Sequence, residues 1–68
     1  MSQEDVFNIL KELGGEATTE QIRKKARVKY PKRTLYLYVL NRLRKLEKDK
    51  QILFIRENWR IIKKNVKD

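Results

Sequence analysis

Two spacings of apolar residues organise this chain. From Pro31 to Lys50 (PKRTLYLYVLNRLRKLEKDK), Leu35, Val39, Leu43 and Leu46 fall in one narrow arc at about 100° per residue, widened by Tyr36 and Leu40. That pattern predicts a single long helix with one stripe on a core. Its opposite arc holds Thr34, Leu37, Asn41, Arg44, Lys45 and Lys48, with Arg33 and Tyr38 at the edges. Pro31 suits a first helical position because it loses nothing by lacking an N–H and has its φ already set. Lys48 and Lys50 suit the negative end of the helix dipole.

Upstream, Val6, Ile9, Leu10 and Leu13 line one side of a first helix, with Phe7 on its flank. Ser2 and Asp5 resemble a capping box, and Gly14-Gly15 supplies the left-handed residue that ends helices. A second, brief helix runs from about Thr19 to Ala26 with Ile22 and Ala26 inward, capped by Thr18 with Gln21 or by Thr19 alone. Its positive end either receives a phosphate or is simply capped. Glu16 to Thr18 is either loop or a short third strand. Arg27 to Tyr30 forms the turn into the third helix, with Val28 as its inward residue.

Beyond Lys50 the spacing changes. Ile52 to Ile62 is dominated by β-branched and aromatic residues and reads as a β-hairpin about Glu57-Asn58. That turn pairs Arg56 with Trp59, Phe54 with Ile61 and Leu53 with Ile62, so Phe54, Trp59 and Ile61 share one face. A three- or four-residue loop shifted by one residue is the alternative, and a slip of one in pairing reverses the faces. Trp59 is expected to act as a lid on the core. Lys63 to Asp68 reads as a polar, frayed tail.

Length and composition narrow the chemistry. Sixty-eight residues make one domain, 1–68, with no room for a deep catalytic cleft. Val6, Leu10, Leu13, Ile22, Leu35, Val39, Leu43, Leu46, Ile52, Phe54, Trp59 and Ile61 suffice for a small core without a staple. Cysteine and histidine are both absent, which removes disulfides, thiolate metal sites and the commonest general base. No paired acids, phosphate-cradling glycine loop or activated nucleophile is found. Catalysis, cofactors and a metal site are therefore not expected, and binding is. No run is long and apolar enough to cross a bilayer, and the acidic start does not resemble a secretory signal. The expected location is cytoplasmic, on the nucleoid if the source is prokaryotic.

Charge adds direction. The net charge is +9, but residues 1–22 carry −4, residues 23–50 carry +10 and residues 51–68 carry +3. Such asymmetry is the footprint of a nucleic-acid or anionic-surface binder. A solvated basic helix on a small core is the plainer reading of a charge run. Against it, Tyr, Leu, Thr and Asn are interleaved with the cations, as base-edge and stacking contacts require.

The order of a capped short helix, an apolar turn residue, Thr34-Leu35, and then Leu43-Arg44-Lys45-Leu46-Glu47-Lys48-Asp49-Lys50-Gln51-Ile52 resembles the winged helix-turn-helix family over nearly the whole chain. The resemblance implies a mainly α fold of three helices plus a two-stranded wing, with Lys50 in a left-handed position usually held by glycine. It implies binding of double-stranded DNA, with the N-terminal half of helix three in the major groove. Lys32, Arg33, Thr34, Leu37, Tyr38 and Asn41 are then nearest the base edges. Arg33 suits guanine, Asn41 adenine and Leu37 a thymine methyl. Arg23, Lys24, Lys25, Arg44, Lys45, Arg56, Asn58 and Arg60 are expected at phosphates and the wing. A transcriptional regulator and a chromosome-associated protein both fit, as a monomer or as a homodimer through Leu37 and Leu40 or helix one. An RNA-binding or ribosome-associated module, and a winged helix docking an acidic protein, use the same charge.

Overall fold

The structure is a computed structural model and describes residues 3–32 and 35–62. Its elements run α1 (Gln3–Glu12), β1 (Glu16–Thr18), α2 (Thr19–Lys29), a 3₁₀ turn (Leu35–Leu37), α3 (Val39–Lys48), β2 (Ile52–Ile55) and β3 (Asn58–Ile61). Three helices pack against a three-stranded antiparallel sheet of order β1-β3-β2. This mainly α architecture with a C-terminal hairpin is the expected one, and Glu16–Thr18 takes the strand of its two alternatives.

α1 ends as its glycines dictate. Gly14 and Gly15 have φ of 95° and 91°, and Gly15 N–H reaches Leu10 O at 2.9 Å while Gly14 N–H reaches Lys11 O at 3.0 Å. These are the paired bonds of a Schellman stop. α3 closes the same way through Gln51 N–H to Leu46 O and Lys50 N–H to Glu47 O, both 2.9 Å, with Lys50 at φ 63°. The lysine does occupy the left-handed position expected of it. α2 begins with a full capping box: Thr18 Oγ1 accepts from Gln21 N–H at 3.1 Å, and Gln21 Oε1 accepts from Thr18 N–H at 2.8 Å. Of the two caps expected for this helix, Thr18 with Gln21 is the one present. The Ser2 cap and the tail 63–68 lie outside the described residues.

The middle of the chain departs from the expectation. α2 continues to Lys29, through the segment read as a turn, and the long helix from Pro31 is instead a turn, a 3₁₀ turn and a shorter α3. Proline is ambiguous here: it opens helices at their first position and also follows their C-caps. Tyr30, at φ −127° and ψ 68°, is the C-cap of α2, so Pro31 marks a stop. Extending α2 sets Lys25 and Lys29 on one face, four residues apart, where both meet Glu12 of α1. It also turns Val28 outward, 73% exposed and not inward as expected.

The hairpin keeps its faces but moves its turn. Ile55 pairs with Asn58, Phe54 with Trp59, Leu53 with Arg60 and Ile52 with Ile61. The two-residue turn is thus Arg56-Glu57, both at positive φ (50° and 71°), as a type I′ turn requires. Moving the turn by one residue changes each partner by two, so Phe54, Trp59 and Ile61 still share a face. β3 is also paired with β1, Ala17 opposite Trp59. Trp59 is 3% exposed, and its indole Nε1 donates to Thr19 Oγ1 at 2.8 Å, so the lid expectation holds.

The core gathers Val6, Ile9, Leu10, Ala17, Ile22, Ala26, Val39, Leu43, Leu46, Ile52 and Trp59, with Leu13, Leu40 and Ile61 packed partly against it. Phe54 is corrected from core to surface. It is 47% exposed and lies over the Trp59 ring, centroids 4.4 Å apart.

Two outcomes follow for stability. A double-mutant cycle of Trp59→Phe and Thr19→Val, read by urea unfolding, returns a coupling of about 1 kcal/mol, and a coupling near zero contradicts the indole bond. Lys50→Gly raises stability by about 0.5–1 kcal/mol, because it relieves a left-handed side chain at a modest cost in unfolded-state entropy. A loss of stability contradicts that conformation.

Candidate nucleic-acid interface

α3 divides lengthwise. Val39, Leu43 and Leu46 are buried, and at about 100° per residue Asn41, Arg44, Lys45 and Lys48 lie on the arc facing away from them, all exposed. The helix starts at an N-cap, Tyr38, with no side-chain hydrogen bond to its free N–H groups. Tyr38 is 47% exposed and Leu37, in the preceding 3₁₀ turn, is 61% exposed. Lys32 is exposed beside Pro31, while Arg33 and Thr34 lie outside the described residues.

A shallow groove runs between α2 and the 3₁₀ turn, lined by Glu20, Gln21, Arg23, Lys24, Arg27, Tyr36 and Leu37. It brings the expected Arg23, Lys24 and Leu37 together. Sequence reasoning did not place Arg27 or Tyr36 here, because Arg27 was read as turn. As the last turn of α2, Arg27 sets its guanidinium 5.2 Å from the centre of the Tyr36 ring. A second such pair, Arg42 over Tyr38 at 5.9 Å, was legible from the four-residue spacing of the two residues. Arg42 Nε is buried without a hydrogen-bond partner among the described residues.

Other expected contacts are engaged within the molecule. Arg60 is not at the wing tip but on β3, where it pairs with Glu16 at 3.1 Å, and Asn58 Nδ2 donates to the same carboxylate at 3.0 Å. The shift of the turn moves them, leaving Arg56 and Glu57 at the tip. Lys25 turns toward Glu12, 3.9 Å away, and Arg23 pairs with Glu20 at the rim of the groove. Glu12 also bonds Lys29. That hydrogen bond holds the Glu12 carboxyl below its usual range and the Lys29 amine above its own. Three acids of the negative segment are thus matched by cations of the same molecule, whereas Lys24, Arg44, Lys45 and Lys48 have no acid partner among the described residues.

The described residues contain no cluster of three or more potential metal ligands, and no helix among them is long and apolar enough to cross a membrane. Comparison with protein-family models, with curated proteins and with solved structures finds no match to this chain.

Proposed function

We propose that this chain is a winged helix-turn-helix domain that binds double-stranded DNA, with α3 entering the major groove. The observation that carries the reading is the lengthwise division of α3. Exposed Asn41, Arg44, Lys45 and Lys48 oppose buried Val39, Leu43 and Leu46. Ten residues give a rod roughly 15 Å long, suited to a groove about 12 Å wide. Because α3 begins at Val39, the base-reading set starts with Leu37 and Tyr38 at its mouth and Asn41 in its first turn, with Lys32 exposed ahead of them. Leu37 offers an apolar contact to a thymine methyl and Asn41 a bidentate pair to adenine. Lys24, Arg44 and Lys45 serve the phosphates, joined by Arg27 and Arg56. A small regulator and a chromosome-coating protein differ only in how much the Asn41 contact adds to this charge term.

Gel shifts over a salt series test the division. On random duplex, Arg44→Ala with Lys45→Ala lowers affinity and reduces the slope of log K against log salt by about 2. Asn41→Ala leaves affinity for random duplex nearly unchanged and removes about 1–3 kcal/mol of preference at one base pair of a selected site. Absence of duplex binding at low salt overturns the proposal. Tighter binding of structured RNA at matched salt transfers it to RNA.

A further inference from the structure

The sheet ends in an open strand. In the order β1-β3-β2, β2 has a neighbour on one side only among the described residues. Its residues Leu53, Phe54 and Ile55 are between 42% and 47% exposed, in a chain of which 40% of residues are charged. The hydrogen-bond alternation says which backbone groups are free. Ile62 N–H donates to Gln51 O at 3.0 Å, so Leu53 and Ile55 also turn their backbone groups toward β3, and Ile52 and Phe54 turn theirs outward. An uncharged strand with apolar side chains and open N–H and C=O groups is a template for another strand.

We propose that the strand seated there is β2 of a second copy of this chain, paired antiparallel about a two-fold axis through Phe54. The two sheets then form one of six strands. A strand that pairs antiparallel with itself satisfies the self-complementarity that a two-fold interface demands. With Phe54 opposite Phe54 of the partner copy, the outward groups of both residues are exchanged. Leu53 meets Ile55 of the partner copy on the outer face. Charge does not oppose a like partner at the seam: in this register Arg56 stands opposite Ile52 and Glu57 opposite Gln51 of the partner copy, so no like charges face each other. Three half-exposed side chains per copy fall well short of the roughly 800 Å² per partner of a standard interface, so the dimer is a weak, reversible one.

Net charge gives this association a diagnostic sign. Two copies at +9 repel, so self-association strengthens as salt rises, whereas binding to a polyanion weakens. Sedimentation equilibrium of the full chain without nucleic acid, up to ~1 mM protein at low and high salt, is the test. The expected result is a mass rising from 8.3 kDa toward twice that with concentration, and more steeply at high salt. Leu53→Lys with Ile55→Lys weakens the dimer at least about tenfold, since each lysine then faces a lysine, while Leu53→Lys with Ile55→Glu restores it through cross-strand pairs. Val28→Lys, at an exposed apolar residue of α2, leaves it unchanged. Circular dichroism checks that each variant folds. A single monomer mass at every concentration and salt overturns the proposal, and so does a dimer indifferent to the charge pattern at 53 and 55. DNA binding is measured separately, so either reading can fail alone.

Discussion

Pairing of β3 with β1 is the constraint on which the fold depends. Glu16 to Thr18 and Asn58 to Arg60 lie about forty residues apart in sequence, and their register sets Trp59 opposite Ala17, in the strand that leads into α2. There the indole closes the core and bonds Thr19, Ile61 N–H bonds Gly15 O at 2.9 Å, and Arg60 pairs with Glu16. Without β1 the hairpin would be two short strands, which are marginal in water on their own. Truncating a buried aromatic such as Trp59 to alanine costs about 3–5 kcal/mol, a large share of the stability of a small domain.

The same constraint shapes the electrostatics. Because β3 is held beside β1, Glu16 neutralises Arg60. Because α2 runs to Lys29, Glu12 is bound by Lys29 and approached by Lys25. Glu12 and Glu16 are taken up at seams between elements, and Arg44, Lys45 and Lys48 are left without an acid partner among the described residues. A composition with nine acids against eighteen cations thereby yields a side of α3 whose potential is set by Arg44, Lys45 and Lys48.

Much of this was legible in the sequence, for reasons that belong to particular residues. Gly14-Gly15 and the Leu43 and Leu46 stripe are local signals with one physical solution each, the cap of α2 was narrowed to two, and the left-handed Lys50 came from the family resemblance. Pro31 has two solutions, a helix start and a helix stop. Only the seam between Glu12 and the lysines of α2, a contact distant in sequence, accompanies the second. The hairpin turn was misplaced because Glu57-Asn58 is the better turn former by composition, while pairing Phe54 with Trp59 and Ala17 with Trp59 favours Arg56-Glu57. The exposure of Asn41, Arg44 and Lys45 on the arc of α3 away from the core was legible from the stripe. The pairing of Arg60 and Asn58 with Glu16 was not legible, because Glu16 reaches them only through the strand order.

Native-state hydrogen exchange tests the dependence on β1 most directly. If the β1-β3 pairing holds the domain together, the amides of Trp59 and Ile61 open only with the whole molecule and match Leu43 and Leu46 of α3 in protection. Hairpin amides that exchange about 100-fold faster than those of α3 would show a wing that opens alone, and the account would be wrong.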